Sequence, residues 1–173
     1  MWTGGLNGGA LLQNGSTQYG LTKNPSLNTT IWPKQQMSVS VWANLTTLVA
    51  AGTMGIMDAP NASNVHAYRF TLSTTNRPAF GVLIGGTTFF ATIPTAITAG
   101  AWYHYVGTWD GKTVTLYVNG RFSNSTTANG TLQVATTNPS GLYLGQFAGQ
   151  TPFGGKIESA FIWNRALTAP EVA

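Results

Sequence analysis

Cleavage of a glycosidic bond ordinarily takes two carboxyl groups, about 5–5.5 Å apart for retention and about 6.5–9.5 Å for inversion. This chain has four residues that could supply them: Asp58, Asp110, Glu158 and Glu171. Asp110 stands before Gly111 between two apolar runs and reads as a turn former, and Glu171 falls within the last three residues. Asp58 begins a Pro/Asn-rich segment, Asp58-Ala59-Pro60-Asn61-Ala62-Ser63-Asn64, that reads as a loop. A pairing of Asp58 with Glu158 is the one hydrolase arrangement left open. His104 has no nucleophile or acidic partner fixed beside it by local sequence, so it reads as a structural histidine. G-x-S-x-G, H-E-x-x-H and P-loop patterns are absent.

Sugar binding asks for something different: an aromatic platform accompanied by amides, hydroxyls or guanidiniums. Trp32, Tyr68, Trp109, Phe147 and Trp163 are the candidate platforms, with Asn61, Asn64, Asn76, Arg77 and Gln150 as polar companions. Each of these aromatics has packing as its ordinary alternative role. Phe89-Phe90 places one ring on each face of its strand, so one of the two is a candidate for exposure.

The elements that position these residues follow a period of two. In Met37 to Leu45, Met37, Val39, Val41 and Ala43 face one way while Ser38, Ser40 and Trp42 face the other. Thr17–Thr22, Val65–Leu72, Ala79–Ile84, Thr87–Ile93, Ala101–Trp109, Val114–Val118, Leu142–Phe147 and Lys156–Trp163 read as further strands. Asp110-Gly111 joins Ala101–Trp109 to Val114–Val118 and Asn119-Gly120 repeats the tight-turn signal immediately after, which places three short strands in a meander. Leu167–Val172 reads as a single helical turn. Roughly ten short strands without a long helix indicate one all-β domain, a two-sheet antiparallel sandwich spanning 1–173, with a closed barrel as the alternative.

Composition narrows the function further. Only 7% of the 173 residues are charged, against about 25% in an average soluble domain. The absence of Cys excludes disulfides and thiolate-held metals, and no apolar run is long enough to cross a membrane as a helix. The +4 net charge comes from a shortage of acids. Lys23, Lys34, Arg69, Arg77, Lys112, Arg121, Lys156 and Arg165 are scattered singly, which argues against a nucleic-acid partner.

The run Trp102-Tyr103-His104-Tyr105-Val106-Gly107-Thr108-Trp109-Asp110-Gly111, followed by Val114-Thr115-Leu116-Tyr117-Val118-Asn119-Gly120, resembles the central hairpin of the concanavalin A-like lectin/glucanase superfamily, and within it laminin G-like domains. Gly154-Gly155-Lys156-Ile157-Glu158 with Phe161-Ile162-Trp163-Asn164-Arg165-Ala166-Leu167-Thr168 is similar to the closing strand, and Gln18-Tyr19 with Met37–Trp42 to the opening strands. The resemblance implies a jelly-roll sandwich that binds glycans or proteins at its loops or concave face. Trp102 then reads as a core aromatic, and Arg165 as a partner for Glu158 or for carbonyls near the chain end. The alternating acids E-x-D-x-x-E of the resembled glucanases are missing. Calcium, which the resembled domains often bind, wants six to eight oxygens, and Asp58 is its weak candidate ligand.

A surface poor in charge suits contact with neighbours, since burying a charge costs far more than burying a hydrogen-bonded neutral group. The expectation is therefore a non-enzymatic attachment module on a virion surface, a phage decoration or tail-associated protein. It would pack in a homo-oligomer or particle lattice, with weak binding of cell-surface glycans, no resident cofactor and no membrane insertion. The alternative is an extracellular carbohydrate-binding module of a polysaccharide-processing protein.

Overall fold

The computed structural model describes residues 2–6, 8–22, 33–46, 52–60, 65–134, 141–147 and 151–173. In chain order the strands are β1 (Trp2–Gly4), β2 (Gly9–Asn14), β3 (Gly20–Thr22), β4 (Met37–Leu45), β5 (Met54–Pro60), β6 (His66–Leu72) and β7 (Pro78–Ile84). They continue as β8 (Thr87–Thr92), β9 (Trp102–Trp109), β10 (Thr113–Val118), β11 (Arg121–Thr127), β12 (Leu142–Leu144), β13 (Thr151–Pro152) and β14 (Gly154–Trp163). One helical turn, α1 (Ala169–Val172), follows. The strands form two sheets, ordered β1-β2-β14-β4-β9-β10-β11 and β3-β12-β5-β6-β7-β8, with β13 alongside β5. All pairings between strands are antiparallel except the short parallel β13–β5 contact.

The alternation of β4 sends Met37, Val39, Val41 and Ala43 into the core, as their spacing predicts. They meet Ile56, Phe70, Leu72, Phe80 and Val82 from the other sheet, with Tyr105, Trp109, Val114 and Leu116 completing the layer between the sheets. The meander forms where the turn residues stand. Asp110 Oδ1 accepts from the amides of Lys112 and Thr113 at 2.9 and 2.7 Å, and Asn119, at φ 50°, accepts from the His104 amide at 2.9 Å. At the C-terminus, Glu171 accepts from the amide and hydroxyl of Thr168 and pairs bidentately with Arg165 at 2.7 and 2.8 Å. Arg165 therefore serves Glu171 rather than Glu158.

Two readings need correction. Asp58, Ala59 and Pro60 are the end of β5, not a loop; β5 is buried along its length, between β6 on one side and β12 and β13 on the other. Trp102 lies on the face of β9 turned away from the core, because Tyr103 and Tyr105 take the inward positions. β11, the third strand of the meander, is a polar edge strand whose side chains tie the sheets together. Asn124 Nδ2 donates to the Thr92 carbonyl at 2.8 Å and Thr126 Oγ1 to the Phe90 carbonyl at 2.7 Å. These bonds occupy the open edge of β8 and hold its residues in place.

Candidate functional site

The outer face of the second sheet carries the site. On β6, Tyr68, Phe70 and Leu72 enter the core, which turns Arg69 and Thr71 outward. On β7, inward Phe80 and Val82 leave Ala79 and Gly81 outside; on β8, inward Phe89 and Ala91 leave Phe90 and Thr92 outside. Register aligns these positions into two rows across β5, β6, β7 and β8: Asp58, Arg69, Gly81 and Phe90, then Gly55, Thr71, Ala79 and Thr92.

Two glycines shape the rows. A Cβ on Gly81 would overlap the Phe90 ring, so the bare backbone lets that ring lie across β7 toward Arg69. A Cβ on Gly55 would overlap the Phe147 amide and the Gln146 carbonyl, so the chain after β12 crosses β5 only because position 55 is empty. That crossing delivers Phe147. The Arg69 guanidinium carbon stands 5.0 Å from the centre of the Phe90 ring and 4.7 Å from that of Phe147, within cation–π range of both.

Phe147 is itself propped. Its ring packs against His66 at 4.4 Å between centres, and His66 Nδ1 bonds the wholly buried Asp58 carboxylate at 2.9 and 3.0 Å. Beside Arg69 and these two rings opens a groove of about 320 Å³, lined also by Thr53, Thr71, Ser73, Arg77, Ala79 and Thr92. That is the lower end of the size range of small-molecule sites. Among the described residues, nothing accepts a hydrogen bond from the buried Arg69 Nε. Burial pulls the Arg69 pKa below its ordinary value, and the Asp58 charge opposes that shift.

Of the sugar-binding candidates read from sequence, the structure brings Arg77 and Phe147 together in this groove. Tyr68 and Trp109 are core residues, and the Trp109 indole donates to the Ala128 carbonyl at 2.9 Å; neither is reachable by a ligand. Trp163 stands on the opposite sheet beside Phe161, at 5.8 Å between ring centres. Asn76 lies in the β6–β7 turn, its amide bonded to the Ser73 carbonyl. Trp32, Asn61, Asn64 and Gln150 lie outside the described residues. Arg69, Phe90, Thr71 and Thr92 were not singled out as a group. The available signal was a charged residue at an outward position of an otherwise apolar strand, set level with the outward member of Phe89-Phe90.

All four acids are engaged elsewhere. Asp58 is held by His66, Asp110 closes a turn and Glu171 pairs with Arg165. Glu158, on the other sheet, accepts from the Leu6 amide at 2.6 Å. Asp58 and Glu158 face away from the core on different sheets, so the two do not flank a common bond. As a calcium ligand Asp58 is poorly placed: its carboxylate is buried against His66, and among the described residues no group of three or more His, Asp or Glu gathers. His104 has a structural setting on the outer face of the first sheet. Its ring stacks on Trp42 at 4.8 Å, its Nε2 meets Ser40 Oγ at 2.7 Å, and burial lowers its pKa.

The family model of the concanavalin A-like lectin/glucanases superfamily, in its laminin G form, matches residues 14–173. The chain belongs to this superfamily. Among solved structures it is similar to the CBM40 domain of the Ruminococcus gnavus IT-sialidase bound to α2,3-sialyllactose. The two share 18% identity and a TM-score of 0.77, over 94% of this chain and 93% of that one. It is also similar to domain 4 of AbnA, a GH43 extracellular arabinanase from Geobacillus stearothermophilus, in complex with arabinotriose (22% identity, TM-score 0.71, 99% of this chain and 78% of that one). A third likeness is the heptameric SAP-like pentraxin of Limulus polyphemus (18% identity, TM-score 0.61, 82% and 70%). No curated protein matches. At these identities the structural likenesses establish the fold.

Proposed function

We propose that this chain is a non-catalytic carbohydrate-binding domain working outside the cell, with its ligand in the groove on the outer face of the second sheet. The observation that carries the reading is Arg69 lying over the rings of Phe90 and Phe147 in a groove also lined by Thr71 and Ala79. Rings supply apolar faces for the C–H face of a pyranose, while the guanidinium and threonine hydroxyls supply directional bonds to its oxygens. Commitment of all four carboxylates to turns, pairs and backbone bonds argues against a hydrolytic pair.

Two of the similar structures are domains seen with glycans, the CBM40 domain with sialyllactose and domain 4 of AbnA with arabinotriose, which supports a glycan ligand over the particle-decoration reading of the sequence. The groove gives decoration no specific support. A glycan array followed by calorimetry tests the proposal. The wild type should retain a defined subset of glycans, and Phe90→Ala and Phe147→Ala should each weaken the best ligand at least tenfold, about 1.4 kcal/mol. Retention of no glycan, or full affinity in both variants, would overturn it.

A further inference from the structure

Charge is scarce in this chain, yet two of its eight basic residues meet in one small groove. Arg69 on β6 and Arg77 in the turn before β7 both border it, and none of the described residues that line it is acidic. The nearest acid by register is Asp58, directly across from Arg69, and His66 holds its carboxylate. The lining of the groove therefore carries positive charge.

The two cations differ in kind. Arg77 is exposed, a charge in solvent at the mouth. Arg69 is fixed: its guanidinium carbon lies over the rings of Phe90 and Phe147. Contact with ring faces leaves a guanidinium its planar N–H edge, and that edge matches a planar two-oxygen acceptor.

From this we infer that the groove selects sugars bearing a carboxylate, with the acid group on the Arg69 edge, Arg77 adding its charge at the mouth, and the ring set between Phe90, Thr71 and Thr92. The inference rests on the carbohydrate-binding reading and narrows its ligand class. The lowered Arg69 pKa agrees with it, since an anion restores part of the stabilisation that burial removes from the guanidinium. Arg69 is then the residue that sets specificity, and Phe90 and Phe147 are the residues that position it.

The test uses the full chain and an array of oligosaccharides ending in uronic acids or in sialic acids, sulfated oligosaccharides, and the neutral parents of each. The best ligand is then remade with its carboxylate reduced to the alcohol. Carboxylated sugars should bind at least tenfold more tightly than the reduced form, and the uronate and sialate arms identify which class carries the acid. Arg69→Gln should abolish this preference and Arg69→Lys should lose most of it, because an ammonium keeps the charge but not the planar fork. Arg77→Gln, at an exposed position, should weaken carboxylated sugars several-fold and by more than it weakens neutral ones. Thermal unfolding of each variant shows that the fold is kept.

Equal binding of carboxylated and reduced sugars, with loss in Phe90→Ala, would overturn the acid-sugar inference while leaving a glycan site in the groove. Preference for the sulfated arm would also overturn it, assigning the groove to tetrahedral anions. Binding of nothing on the array would overturn both the inference and the function it rests on.

Discussion

Replacing Gly55 with alanine adds one methyl group at the place where two backbone segments touch. The new Cβ would overlap the Phe147 amide nitrogen and the Gln146 carbonyl, which are backbone atoms that cannot swing aside as a flexible side chain can. Either β5 bends inward, pressing its own Ile56 and Met57 further into the core, or the segment carrying Phe147 lifts from the sheet. Overpacking of this kind typically costs about 1–3 kcal/mol. For a chain of 173 residues, unfolding entropy near 2.1 cal/mol/K per residue converts that to a melting-temperature drop of about 3–8 °C. The functional consequence is larger than the thermal one. Lifting the segment takes one ring from Arg69 and breaks the packing of Phe147 on His66, so glycan affinity should fall with the variant still folded. Scanning calorimetry with isothermal titration of the best array ligand measures both. A Gly55→Ala protein that melts within 1 °C of wild type, roughly the spread of a neutral substitution, and binds unchanged would refute the reasoning. The crossing of β5 would then not be what positions Phe147.

Further outcomes follow from other parts of the sandwich. Trp109→Phe removes the donor to the Ala128 carbonyl and leaves a void in the core, so urea unfolding should show a loss of about 1–3 kcal/mol with binding at 25 °C retained. Glu171 has its folded pKa lowered from 4.5 to about 2, first by the Arg165 hydrogen bond and then by Thr168. Its contribution is therefore full above about pH 4.5 and lost as pH falls toward 2, and Glu171→Gln should flatten the melting curve over that window. Desolvation lowers the His104 pKa from 6.5, so the unfolded chain takes up its proton first on acidification. Stability should then decline as pH drops below 6.5, and decline less in His104→Gln, as measured by thermal unfolding between pH 7 and pH 5.

The scaffold was easier to read in the residues than the site. Alternation in Met37-Ser38-Val39-Ser40-Val41 and the Asp110-Gly111 and Asn119-Gly120 turns specify strands and hairpin locally, and β4, β9 and β10 stand where those signals place them. The meander implies a strand after Asn119-Gly120, where β11 stands, but not its role, which is made by Asn124 and Thr126 reaching carbonyls of another sheet. Asp58-Ala59-Pro60 looked like a loop because Pro and Asn mark turns, but neighbours on both edges of β5 hold these residues extended.

The groove had a weaker local signature. Arg69, Gly81 and Phe90 come from three strands and meet through register, while Phe147 arrives over Gly55 on a segment distant in sequence. Strand alternation does predict that Arg69 faces away from Tyr68 and Phe70. It does not predict which rings will enclose it. Aromatic residue type alone was a poor guide: Tyr68 and Trp109 went to the core and Trp163 to the opposite sheet.

The most direct measurement is amide chemical-shift mapping by NMR with the tightest glycan from the array. Binding in the groove predicts that the largest shifts fall on Arg69, Thr71, Ala79, Phe90, Thr92 and Phe147, on the outer face of the second sheet. Largest shifts instead on Trp42, His104, Phe161 and Trp163 would place the ligand on the opposite face of the sandwich and contradict the assignment.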